Sequence, residues 1–125
     1  MFITLQLDMP PSINNYYGTK KGGFAKFIKD DGIAFRWHVL SIKNKLNISS
    51  PLDKNNTKLK LTIEFIFNNN RVNDIDNRVK PLFDALQSAG ILDNDCNIFS
   101  FSVTKKIDKS LPASITILSV EEFIN

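Results

Sequence analysis

Asp74 and Asp76 flank a single isoleucine in Asn73-Asp74-Ile75-Asp76-Asn77, Asp95 closes Gly90-Ile91-Leu92-Asp93-Asn94-Asp95, and Lys80 lies between the two groups. Carboxylates at i and i+2 point to one side of an extended backbone. A third, returning across a helix-length segment, can complete a cluster. Carboxylates held together repel one another unless protons or a cation neutralise them. All-oxygen ligation suits a hard, octahedral ion such as Mg²⁺. Zinc is disfavoured, because the chain has one His and one Cys. An EF-hand needs Gly at loop position six and Glu at position twelve; counted from Asp74, those places hold Val79 and Ala85. The pattern predicts a Mg²⁺-dependent catalytic centre rather than a solvated acidic loop, although Asp-x-Asp alone is a weak signal.

The surrounding chain must supply the elements that hold these groups. Residues 2–8 alternate, with Ile3, Leu5 and Leu7 on one face, and Pro10-Pro11 ends the strand. Residues 12–32 read as a long loop. Residues 33–46 read as a helix with a wide apolar face, built from Ile33, Trp37 and Leu40 and from Phe35, Val39, Ile42 and Leu46. Residues 58–67 form a strongly alternating strand that leads into the aspartate motif. A helix then carries Val79, Leu82, Phe83 and Leu86 inward, capped by Asp76 or Asn77 and stopped at Gly90. Pro81 must fall in or just after its first turn. Strands are predicted over 98–107 and 113–120. This order implies a single α+β domain over residues 1–125, with one mixed sheet of about four strands packed against two helices.

A chain of 125 residues with 42% hydrophobic composition and ten Phe can bury a core as one domain. No segment is long and apolar enough to cross a membrane. The N-terminal strand lacks signal-peptide character. A single Cys fits a reducing compartment, so a cytoplasmic location is expected. Net charge is +3, yet residues 71–95 carry −2, which leaves +5 on the rest. An acidic centre in a basic surround suits an enzyme acting on a polyanion, although +3 is also ordinary for a soluble domain.

The longer string is more specific. Asp74-Ile75-Asp76-Asn77-Arg78-Val79-Lys80-Pro81-Leu82-Phe83-Asp84-Ala85-Leu86, followed by Gly90 to Asp95, closely resembles the RusA family of Holliday junction resolvases. Pro10-Pro11-Ser12-Ile13-Asn14-Asn15-Tyr16-Tyr17 looks like that family's N-terminal element, and the similarity runs from about residue 5 to 107. The resemblance implies a Mg²⁺-dependent, structure-selective endodeoxyribonuclease of bacterial or phage origin that cuts four-way DNA junctions in recombination and repair. Asp74, Asp76 and Asp95 match the family's metal-binding catalytic aspartates, and Lys80 matches its essential lysine. Asn77 matches the Asn after the second Asp. Two departures stand out. Arg71-Val72-Asn73 offers one Arg where the family often has two or more, and Asn94-Asp95 stands where it often has Asp-Asp. Asp95 is aligned with the catalytic position because Asp95-Cys96-Asn97-Ile98 then enters the next strand; Asp93 is the alternative.

On residues alone, Lys80 reads as an exposed i, i+4 pair with Asp84, worth about 0.3–0.5 kcal/mol; the resemblance turns it toward the scissile phosphate. Lys20, Lys21, Lys26 and Lys29, interleaved with Tyr16, Tyr17, Phe24 and Phe27, read either as a basic loop that tracks DNA or as a solvated loop with tucked aromatics. Arg71, Asn77 and Arg78, beside the motif, are assigned to DNA as well. Lys105 and Lys106 end a strand, and His38 reads as a surface or packed histidine. Trp37 is expected in the core or at a dimer interface. Two symmetric cuts need two sites, so a C₂ homodimer is expected. A fork or flap nuclease and a non-cutting junction binder are the competing readings.

Overall fold

The computed structural model describes residues 2–19, 26–71 and 73–124. Its main sheet is built from β1 (Phe2–Asp8), β4 (Leu59–Phe67), β5 (Ile98–Ile107) and β6 (Ile115–Glu122), in the order β1-β6-β4-β5. Strand β4 is central. It pairs antiparallel with β6 and parallel with β5, and α3 (Asp76–Ser88) makes the parallel connection. The α+β architecture and the mixed four-stranded sheet match the sequence reading.

Alternation in β4 decides which face is covered. Leu59, Leu61, Ile63, Phe65 and Phe67 are all buried, and Leu5, Leu7, Leu118 and Val120 join them from β1 and β6. Against this face lie α2 (Asp30–Lys45), through Phe35 and Val39, and α3, through Leu82, Ala85 and Leu86. The opposite face is mixed: Thr4–Ser119, Lys60–Glu121 and Lys106–Glu64 contacts lie on it beside Phe2, Ile66, Ile115 and Ile117. The protein is thus two layers, one helical and one sheet.

The predicted long loop over 12–32 is corrected. Ile13–Tyr16 forms a one-turn helix α1, Tyr17–Thr19 (β2) and Lys26–Ile28 (β3) pair antiparallel, and α2 begins at Asp30. The alternation was too short to register, but long-range contacts support it. Tyr16 is fully buried and its hydroxyl accepts the Arg36 Nε–H at 2.7 Å. The Tyr16 carbonyl accepts the Lys29 amide at 2.9 Å. Gly32 permits this packing, because a Cβ there would stand 2.8 Å from the Tyr16 carbonyl oxygen and 2.7 Å from Ile28 Cγ2.

Other boundaries move less. The last strand is Ile115–Glu122 rather than 113–120, because Glu121 and Glu122 continue the ladder opposite Lys60 and Leu59. The residue before α3 is Ile75, not Asp76 or Asn77, so both of these occupy the first turn. Gly90, at φ +81°, ends that helical segment as expected. Trp37 is not in the core: it is 66% exposed and lies on the far side of α2 from Phe35 and Val39. Ile33 is exposed beside it, whereas Leu40 and Ile42 pack against the core.

Candidate active site

The β4–α3–β5 unit positions the aspartate motif. Strand β4 ends at Phe67, and Asp76 opens the first turn of α3, where the helix dipole favours negative charge. Asp76 Oδ1 accepts the Asn77 amide at 2.9 Å, one of the donors a helix start leaves free. Between α3 and the edge strand β5 runs a cleft of about 500 Å³. Asp76, Lys80 and Asp95 are its polar wall; Ile75, Val79, Phe83, Phe101 and Val103 are its apolar wall. Phe83 packs edge-on against Phe101 with ring centres 5.3 Å apart, which fixes the floor.

Asp74 stands outside this cleft. It is exposed; burial lowers the Arg78 pKa, and the charge of Asp74 offsets this only in part. Arg78 is turned inward: its Nη1 donates to the Pro10 carbonyl at 2.6 Å and its guanidinium lies over the Phe67 ring. This ties the Pro10-Pro11 element to the end of β4. Asn77 is half-buried, and its Oδ1 has no donor among the described residues. Arg71 is exposed beside the motif, its amide held by Asn69 Oδ1 at 3.0 Å. Lys105 Nζ donates to the Asn73 carbonyl at 2.8 Å, steadying the approach to Asp74 from β5.

Asp95 arrives on a turn whose amides are all engaged. The Asp93 and Asn94 N–H groups donate to the two oxygens of Asp53 at 2.7 and 3.0 Å, and Asn97 Nδ2 donates to the same carboxylate at 2.8 Å. The Asp95 amide donates to Gln87 Oε1 on α3 at 3.2 Å, and Cys96 N–H to Asn94 Oδ1 at 3.0 Å. Asn94 thus caps the short 3₁₀ turn Asp95–Asn97, a use for the residue that departs from Asp-Asp. Asp95 lines the cleft and Asp93 does not. Burial disfavours the Asp53 charge, but the hydrogen bonds from Asn97, Asp93 and Asn94 outweigh it and hold this carboxyl below the usual range. Asp53 and Gln87 are the site-building residues that the sequence reading missed. Nothing in the polar run 47–57 separates Asp53 from its neighbours, since its partners lie some forty positions away.

Lys80 joins two spaces. It lines the Asp76–Asp95 cleft and also a hollow of about 560 Å³ beside the β2–β3 hairpin, with Tyr17, Lys26 and Phe27. Its ammonium lies 3.5 Å from Asp84 Oδ2 and 5.6 Å from the Tyr17 ring centre. Burial, and then the charge of Asp95, push the Asp84 carboxyl up. Lys26 is exposed on β3, and Lys29 donates to the Asn14 carbonyl at 2.8 Å. Lys20, Lys21 and Phe24 lie outside the described residues.

Oxygen donors on an open cleft fit Mg²⁺, which keeps several waters and takes one or two carboxylates plus substrate phosphates. Asp76 and Asp95 fit that role, and neither makes an ion pair among the described residues. No three acidic, His or Cys groups among those residues converge on one point. Asp76 and Asp95 share one cleft, while Asp74 stands outside it.

A two-layer α+β domain with carboxylates and a lysine along a helix–strand cleft has the make-up of a phosphodiester-cleaving enzyme. The family model for endodeoxyribonuclease RusA matches residues 8–118. A crossover junction endodeoxyribonuclease RusA of Aquifex aeolicus (strain VF5) is 33% identical over 101 residues, covering 81% of this chain and 77% of that protein. Proteins of the same name from Shigella sonnei (strain Ss046) and Escherichia coli (strain K12) are 31% and 30% identical, each over 82% of this chain and 81% of their own length. The chain belongs to the RusA family of endodeoxyribonucleases. No described helix is long and apolar enough to cross a membrane.

Proposed function

We propose that this protein is a Mg²⁺-dependent endodeoxyribonuclease that resolves four-way DNA junctions as a homodimer, in recombination and repair in a bacterial cytoplasm. The observation that carries the reading is the shared cleft of Asp76, Lys80 and Asp95 in a chain whose relatives are named crossover junction endodeoxyribonucleases. Asp76 and Asp95 would hold Mg²⁺, with Asp74 at the approach. When bound, the ion neutralises phosphate charge and lowers the pKa of a water.

The chain's own groups do the rest. Lys80 sets a positive charge at the mouth of the cleft, where a phosphate's charge grows as it is attacked. Asp84 restrains that ammonium. The apolar floor of Val79, Phe83 and Phe101 limits water to the polar wall. Lys26 and Lys29, with Lys20 and Lys21 in the same segment, supply phosphate contacts that position DNA without reading its sequence.

A synthetic four-way junction incubated with Mg²⁺ and the protein, beside Asp76→Asn, tests the proposal. Both proteins should retard the junction in EDTA, and only the unmutated one should cut. Equal cutting by both removes Asp76 from the metal site. Tight binding without cutting by either favours a junction-binding protein.

A further inference from the structure

The segment that presents Asp95 holds only the short 3₁₀ turn Asp95–Asn97, yet five consecutive amides, from Asp93 to Asn97, are satisfied. Two go to Asp53, one to Gln87, one to the Asn94 side chain and one to the Asn94 carbonyl. Asp53 is the anchor of this arrangement. It is only 1% exposed, and all three of its donors outside its own segment come from that turn. The adjacent Leu52 amide donates to the Ile91 carbonyl at 2.8 Å, so backbone and side chain of one segment grip both ends of the approach to Asp95. A buried carboxylate is costly unless fully hydrogen-bonded. Here the bonds are directed wholly at the loop that carries a cleft residue, and none at the cleft.

We infer that Asp53 is a positioning residue for Asp95: its buried carboxylate fixes the 93–97 turn so that the Asp95 carboxylate faces the cleft in a metal-ready orientation. This rests on the reading of Asp95 as a metal ligand. Groups that orient ligands from behind typically change metal affinity by about 10–100-fold when removed. Asp53→Asn keeps the shape but turns an NH₂ group toward donors, so the turn must shift. Gln87 acts in the same way through a single bond and should matter less.

The experiment is Mn²⁺ binding to the whole protein, read by electron paramagnetic resonance, for wild type, Asp53→Asn, Asp95→Asn and the double variant. The expected result is a rise of about tenfold or more in the Mn²⁺ dissociation constant for Asp53→Asn. Asp95→Asn should weaken binding at least as much, and the double variant no further than Asp95→Asn alone. Junction retardation in EDTA should stay within about twofold of wild type. A folded Asp53→Asn with wild-type Mn²⁺ affinity, beside a weakened Asp95→Asn, overturns the positioning role while leaving the metal site standing. Independent, multiplying losses in the double variant overturn it too. Unchanged Mn²⁺ binding and cutting in Asp95→Asn defeat the metal reading itself. Should Asp53→Asn fail to fold, Asn97→Ala and Gln87→Ala take its place: each removes one bond to the turn, and wild-type Mn²⁺ affinity in both overturns the inference.

Discussion

The Lys80 ammonium stands 3.5 Å from the Asp84 carboxylate on the wall shared by the Asp76–Asp95 cleft and the hairpin hollow. The pair is the i, i+4 contact that helix spacing foresees, and Lys80 is largely exposed, so its worth to stability is about 0.3–0.5 kcal/mol. Its worth to catalysis should be far larger. Removing one preorganised positive or donor group from a phosphoryl-type site costs about 100-fold or more. Lys80→Met is expected to shift the urea midpoint barely and to slow single-turnover junction cutting by at least that factor. Comparable small losses in both measurements would return Lys80 to the role of a surface ion pair.

Asp84 carries a pH signature of its own. Burial first, and the charge of Asp95 second, raise its folded-state pKa above the unfolded value. Ionisation of Asp84 therefore costs stability above the folded pKa, and the cost fades as pH falls through that value toward the unfolded one. Asp84→Asn should melt at the same or a higher temperature than wild type at pH 7, with the gap closing as pH is lowered toward 4. Thermal scans across that range decide it. A melting point well below wild type at pH 7 would mean that the Lys80 pair outweighs the burial cost.

Much of this was legible in the sequence, for physical reasons that differ by element. Strand β4 alternates without a break and helix α3 is closed off by a positive-φ glycine two residues past its end, so both are legible in the sequence. The β2–β3 hairpin has three-residue strands, too short for any period, and exists because Tyr16 is buried beneath α2. Asp74 and Asp76 sit two apart in sequence, yet Asp74 stands exposed outside the cleft while Asp76 enters a helix, so the i, i+2 rule for extended chain ceases to apply at Ile75. Asp53 was invisible because a buried anchor is defined by its partners, and those lie across the fold.

Gly32 tests the packing that holds the hairpin. Alanine is favoured over glycine in a helix by about 1 kcal/mol, so propensity alone predicts a gain from Gly32→Ala. The added Cβ would approach the Tyr16 carbonyl oxygen to 2.8 Å, and a backbone atom cannot swing away. Overpacking of this kind costs about 1–3 kcal/mol. Gly32→Ala is expected to be net destabilising in urea unfolding. A net gain would mean that α1 shifts freely against α2.

The exposed apolar residues of α2 bear on assembly. Ile33 is 43% and Trp37 66% exposed, and with Leu40 and Ala89 they border a hollow of about 260 Å³. Ile33 and Trp37 are left uncovered; in the proposed dimer, whose two clefts would make the paired cuts, Trp37 is an anchor at the contact. Loss of an aromatic anchor at such a centre costs about 2 kcal/mol or more, roughly 30-fold in dimer affinity. Trp37→Lys, facing away from Phe35 and Val39, should keep the fold and sediment as a monomer at concentrations where wild type is a dimer. Its junction products should then be single, uncoupled nicks, because each cleft would act alone. Wild-type sedimentation as a monomer, with both strands still cut together, would take the dimer out of the mechanism.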